Sequence, residues 1–110
     1  MNLELRAGGL RLALRPDLGA AVAGLWLGDV EVLRSTEAAA LTASRLSGCY
    51  PLVPWSNRIS GGGIETGGRF WPLQPNWPGE PYPIHGDGWR RPWQVARHTA
   101  DLIELTELLK

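Results

Sequence analysis

This sequence predicts an all-β chain: mostly antiparallel strands, joined by long loops rich in glycine, proline and tryptophan. Three observations carry that expectation. Leu10, Leu12 and Leu14 alternate with Arg11, Ala13 and Arg15, the period of two that a half-buried strand shows. Gly28-Asp29 and Gly67-Gly68 are two-residue links between strand-like runs, the spacing of a tight hairpin. From Ser47 to Pro92 the chain is dense in glycine, proline and tryptophan, which leaves little room for helix.

Taken in order, the strand over residues 10–15 should bury its leucine face, leave Arg11, Ala13 and Arg15 in water, and end at the turn Pro16-Asp17-Leu18-Gly19. AAVAGLWL and VEVLR then flank Gly28-Asp29, where glycine in first place suits a type II′ turn. Residues 35–46, STEAAALTASRL, are the one stretch with helical leanings, with Ser35 or Thr36 as cap. IETGGRFWPL reads as a hairpin. Pro72, Pro75, Pro78 and Pro81 recur at every third residue, the polyproline II repeat. Trp71, Trp77, Trp89 and Trp93 argue for an ordered, loop-built surface there, because disordered segments are poor in aromatics. WQVARH is strand-like, and LIELTELLK reads either as a strand or as a helix with Leu102, Ile103, Leu105, Leu108 and Leu109 on one face.

With 110 residues the chain is expected to form a single domain, residues 1–110. Eleven basic residues balance eleven acidic ones, so there is no electrostatic footprint for nucleic acid or an anionic membrane. No apolar run reaches signal-peptide or bilayer length, and one cysteine, Cys49, fits a reducing compartment and reads as a small buried hydrophobe. The expectation is a soluble, cytoplasmic protein.

The glycine run GGGIETGG lacks the lysine of a phosphate loop and the dinucleotide fingerprint. His85, Asp87, Cys49 and His98 do not fall at metal-ligand spacing, so no metal and no cofactor are expected. What remains is a set of planar polar groups among aromatics. Asn57 offers donor and acceptor together, and Arg58 offers five donors in a fixed fork, both suited to a ligand made of hydroxyls. Tryptophan faces suit the C–H face of a sugar ring. Arg58 reads equally as half of a structural ion pair or as a cation stacked on a neighbouring tryptophan. His85 is either a hydrogen-bonded loop residue or the group that passes a proton near neutral pH. His98 reads as an exposed strand residue and Asp87 as a turn former.

The motifs PLVPWSNRI, GRFWPLQPN and YPIHGDGWRRPWQV, in that order, resemble the N-terminal part of the aldose 1-epimerase (galactose mutarotase) family. The likeness runs from about Leu10 to Val95 and rests on Asn-Arg after Pro-Trp, His-Gly after a proline-rich loop, and the tryptophan before the next strand. It implies part of a large β-sandwich and the interconversion of α and β anomers of a free hexose. A carboxylate takes the anomeric proton and a histidine protonates the ring oxygen, without metal or cofactor. By motif, Arg58 and Asn57 would bind sugar hydroxyls, and His85 would be the catalytic-region histidine near the reacting end. The family's second histidine, sugar-binding aspartate and glutamate base match nothing here; Glu104 and Glu107 lie outside any family motif. The expectation is an incomplete site: a truncated or split enzyme, one completed by another chain or by self-association through exposed strand edges, or a protein that only binds sugar. Two readings from other classes stand beside it. One is a non-catalytic carbohydrate-binding module using the same residues. The other is an interaction protein whose PLQPNWPGEP segment is a mobile polyproline ligand.

Overall fold

The computed structural model describes residues 3–108. They form eight strands and three single 3₁₀ turns, with no α-helix among the described residues. The chain divides into two compact units, one made of Met1–Pro51 with Gly88–Lys110 and the other of Leu52–Asp87.

In the first unit, β1 (Leu3–Ala7), β2 (Leu10–Arg15), β3 (Ala21–Leu27) and β4 (Val30–Glu31) form an antiparallel meander in sequence order. Gly28 takes φ +57° while Asp29 stays out of the positive region, as a type II′ link requires. The register stacks Leu5, Leu12 and Leu25 in one row, and Ala7, Leu10 and Leu27 in the next. A bulge leaves Ala23 as the extra residue of β3 between the pairs Ala13–Gly24 and Leu14–Val22.

The packed core takes mainly the face opposite to the one the leucines predict, although Leu14 is buried as expected. Ala13, Ala21 and Ala23 are almost fully buried against Ala38 and Leu41, whereas Leu10 and Leu27 are 42% and 53% exposed. Small side chains face the core because the segment after β4 crosses close over that face. The two arginines expected in water span it instead, with their charges satisfied. Arg11 lies 3.8 Å over the Trp26 ring and binds Glu37 through two bonds of 3.0 and 2.9 Å. Arg15 grips Asp17 and donates to the carbonyls of Ala38 and Leu41 at 2.7 and 2.8 Å.

Those same bonds explain why residues 35–46 do not form the expected helix but two turns, Ala38–Ala40 and Ser44–Leu46. Arg15 takes carbonyls that a helix would use internally. The proposed caps are also engaged elsewhere, for Ser35 Oγ accepts from the Leu25 N–H at 3.0 Å and the Thr36 N–H donates to Ala23 O at 2.9 Å. The strand expected over residues 30–34 is cut short at Glu31 by the same competition. Cys49 is exposed rather than buried. Its backbone carries the contact, the Val22 N–H donating to Cys49 O at 2.8 Å, and alanines fill the core beneath. β7 (Gln94–His98) and β8 (Ile103–Thr106) form an antiparallel hairpin, so the last segment is a strand; Leu109 lies outside the described residues.

Asp17 makes this unit acid-sensitive. The Arg15 guanidinium holds its carboxyl down at about 2, below the usual carboxylate value. A depressed folded-state pKa adds stability above the unfolded value of about 4, and that stability is lost as pH falls toward 2. Urea unfolding midpoints measured from pH 5 to 2 should therefore fall less steeply for Asp17→Asn than for wild type; parallel curves would rule the pair out as the cause.

The second unit is built on the hairpin of β5 (Gly63–Thr66) and β6 (Arg69–Pro72). Gly67 and Gly68 both have positive φ, the requirement of a type I′ turn. Arg69 lies 3.9 Å over the Trp71 ring, a contact between neighbours on one face of β6 that leaves its charge near the surface. The other residues of this unit form the ordered loops of the next section.

Candidate functional site

Two loop strips lie side by side in the second unit, residues 53–59 and 83–87. Short bridges pair Val53 with Gly86 and Arg58 with Ile84. The Ile59 N–H donates to Pro83 O at 3.2 Å, the His85 N–H to Asn57 O at 2.8 Å, and the Asp87 N–H to Val53 O at 2.9 Å. Gly86 sits at φ +63° with its α-carbon pressed on the Val53 carbonyl, an approach that only glycine permits.

Two of the three residues singled out by sequence are held in the left-handed region, Asn57 at φ +57° and His85 at φ +60°. Such a backbone costs a non-glycine residue roughly 1–2 kcal/mol, so the surrounding bonds must enforce it. Here the two residues enforce each other. Besides the bond between their backbones, the Asn57 N–H donates to His85 Nδ1 at 3.1 Å. An accepting Nδ1 places the proton of the neutral imidazole on Nε2, which makes Nε2–H the donor that this ring offers.

Arg58 completes the group. Its Nη1 donates to Asn57 Oδ1 at 3.2 Å, its Nε to Glu80 Oε2 at 3.0 Å, and its Nη2 to Glu80 Oε1. This bidentate pair raises the Arg58 pKa above its ordinary value and holds the Glu80 carboxyl below the usual carboxylate range, through hydrogen bonding first. The structural ion pair that the sequence left open for Arg58 is thus present. The structure brings Asn57, Arg58 and His85 together on an open surface, the Arg58 side chain being 44% exposed.

Glu80 and Asn76 were not singled out by sequence reasoning. Asn76 donates through Nδ2 to the carbonyls of Ile84 and Gly86 and accepts from the Ile84 N–H, each at 2.8 Å. It therefore clamps the loop that presents His85. Both residues sit in the proline-rich segment, where the proline period drew attention from the polar residues between. The usable signal was an Asn and a Glu flanking Trp-Pro-Gly, a turn that would project both to one side. Among the described residues, the Trp55 indole nitrogen is buried without an acceptor, which costs about 1–3 kcal/mol and adds to the strain of this strip.

Elsewhere, His98 ends β7 on the exposed surface with Nε2 3.4 Å from Glu4 O. Glu104 lies 3.9 Å from Arg97 in an exposed ion pair on the β7–β8 hairpin. No group of three or more histidine, cysteine, aspartate or glutamate side chains able to hold a metal occurs among the described residues. Among them too, no helix is long and apolar enough to cross a membrane.

An all-β scaffold thus presents an asparagine, an arginine and a histidine from neighbouring loops. The chain belongs to the aldose 1-epimerase family, whose model matches residues 1–109. It is 35% identical over 99 residues to Uncharacterized protein YphB of Escherichia coli (strain K12), a match that covers 90% of this chain and 33% of that protein. It also superposes on the crystal structure of an Escherichia coli K12 protein assigned to the aldose 1-epimerases, with a TM-score of 0.83 and 33% identity, over 96% of this chain and 35% of that one. The expected fold is thereby shown: all-β, antiparallel, and a fragment of the epimerase fold. The chain spans about a third of the length of these relatives.

Proposed function

We propose that this chain supplies the aldose-binding portion of an aldose 1-epimerase site, which interconverts the α and β anomers of a free hexose by general acid–base ring opening. Arg58 and Asn57 hold sugar hydroxyls, and His85 directs Nε2–H toward the oxygens at the reacting end. The observation that carries this reading is the mutual enforcement of Asn57 and His85 in the left-handed region beside Arg58. Strain of that kind clusters at ligand sites, and here, unlike at the turn residue Ala20, it coincides with a group of polar side chains. No metal or other cofactor enters the scheme, since proton transfers alone open and close the ring.

A non-catalytic sugar-binding role is favoured by one specific observation. The carboxylate nearest the cluster, Glu80, is committed to Arg58 and so is poorly placed to act as a base. The two readings part on anomer exchange. Freshly dissolved α-D-glucose or α-D-galactose, followed by NMR or polarimetry, should equilibrate faster with the chain than in buffer. Arg58→Ala should remove that acceleration and weaken sugar binding about tenfold with little change in unfolding midpoint, as expected for a surface group that makes charged hydrogen bonds. A rate equal to buffer with sugar binding retained excludes a complete site in this chain and leaves an incomplete epimerase or a binding module. Unchanged binding with a large stability loss returns Arg58 to a purely structural role.

The same assay addresses assembly. The half-exposed leucine rows and the sheet edges β1 and β4 favour self-association. Acceleration that grows more steeply than protein concentration marks a site completed by a second copy; strict proportionality excludes it. The lone free thiol of Cys49 accords with a reducing compartment, and so with the cytoplasm.

A further inference from the structure

Glu80 is more than a tether for Arg58. Two of the five N–H donors of the guanidinium point at the Glu80 carboxylate and a third at Asn57 Oδ1, which leaves one on each terminal nitrogen. Each of these can meet a hydroxyl oxygen. A phosphate or carboxylate is best taken by a parallel pair of donors on one edge of the fork, and Glu80 already occupies the Nε–Nη2 edge.

The surrounding charge acts in the same direction. Between Leu52 and Asp87 the cations are Arg58 and Arg69 and the anions Glu65, Glu80 and Asp87, so with His85 neutral the unit carries one net negative charge. Of the two cations, Arg69 is spread over the Trp71 ring on the hairpin. Glu80 is also held by its backbone. Its N–H donates to Trp77 O at 3.1 Å, Gly79 makes the turn at φ +83°, and Pro78 and Pro81 flank the pair. Fixed φ at the prolines limits how far the carboxylate swings away.

We propose that Glu80 is a specificity-determining residue, a charge gate that reserves the Asn57–Arg58–His85 cluster for uncharged sugars and turns away sugar phosphates and uronates. The sugar half of this statement rests on the binding role given above; the gating of Arg58 stands on its own geometry. An incoming phosphate would have to displace a carboxylate from Arg58 and then lie beside it, a like-charge arrangement that disfavours the wrong partner.

The test follows the Arg58 Nε–Hε resonance in ¹⁵N-labelled protein during titration with D-glucose, D-glucose 6-phosphate and inorganic phosphate. Wild type should respond to glucose and bind both phosphates at least about tenfold more weakly, while Glu80→Gln, nearly the same shape without the charge, should gain about tenfold for both. That gain should shrink with added salt, and Glu80→Asp should keep the wild-type order. The phosphate arm decides the gate: if Glu80→Gln gains no phosphate at Arg58, or wild type takes phosphate as readily as the variant, the gate is wrong. The glucose arm decides the sugar role: if no form responds to glucose while Glu80→Gln gains phosphate, the gate stands and the sugar reading falls.

Discussion

Gly86→Ala is expected to abolish sugar binding and to unfold the loop that carries His85. A Cβ at this position would collide with the backbone carbonyl of Val53 and with Pro54 N, atoms that no rotamer change moves aside. The residue would also sit at φ +63°, where a side chain costs roughly 1–2 kcal/mol by itself. With the collision added, a loss of about 3 kcal/mol or more is reasonable, and it falls on the strip that aligns Asn57 with His85. Hydrogen exchange separates the local from the global effect. The amides of His85 and Asp87, which donate to Asn57 and Val53, should lose protection in the variant while those of β2 and β3 keep theirs. Retained protection at His85 together with retained sugar binding would show that the close approach is not needed. Gly68→Ala serves as control, because it shares a positive φ but meets open space.

Trp89→Ala should bring the other large loss, in the first unit. Trp89 is 6% exposed, and its ring lies 6.4 Å from that of Tyr50. Its backbone is held as firmly as its ring: Ser44 Oγ donates to Trp89 O at 2.7 Å in a buried bond, and Gly19 packs directly on the Trp89 main chain. Truncating a buried tryptophan costs about 3–5 kcal/mol. Against a total stability of about 5–15 kcal/mol for a domain, that is enough to populate the unfolded state. Denaturant titration should show the midpoint falling sharply for Trp89→Ala and partly recovering in Trp89→Phe. A midpoint within about 1 kcal/mol of wild type would mean that the surroundings of Tyr50 and Ser44 close without the indole.

The hairpins were legible in the sequence because their signals are local. Gly28-Asp29 and Gly67-Gly68 fix turn type through backbone sterics alone, and both turns form as read. The choice of buried face was not legible. Alternation says that a strand has two faces, but LRLALR ranks leucine above alanine, and the core takes the alanines because a distant segment lies close over them. Nor could alternation show that Arg15 would find carbonyls 23 and 26 residues further on. That unforeseen bond also explains the missing helix. At the candidate site, the asparagine, arginine and histidine stood out by chemistry and motif. Asn76 and Glu80 did not, since their roles depend on which residues a proline-rich loop brings near, a matter of tertiary path and not of spacing.

The first unit is assembled from both ends of the sequence, and that sets a schedule for its birth. Pro16 O receives the Trp93 N–H, Gly19 donates to Arg91 O, and Arg6 donates to Ala100 O. Strands β1 to β4 emerge early during synthesis, yet their closing contacts are supplied only after the whole of residues 52–87 has been made. Through that interval the nascent meander carries open edges and a leucine-rich face, its alanine core in place but the contacts from Trp89 to Ala100 still missing. Such long-range closure is slow and exposes the chain to off-pathway pairing. Chaperone demand in the cell would then track the time taken to translate the middle segment, so codon choice there would govern yield more than codon choice in the strands themselves.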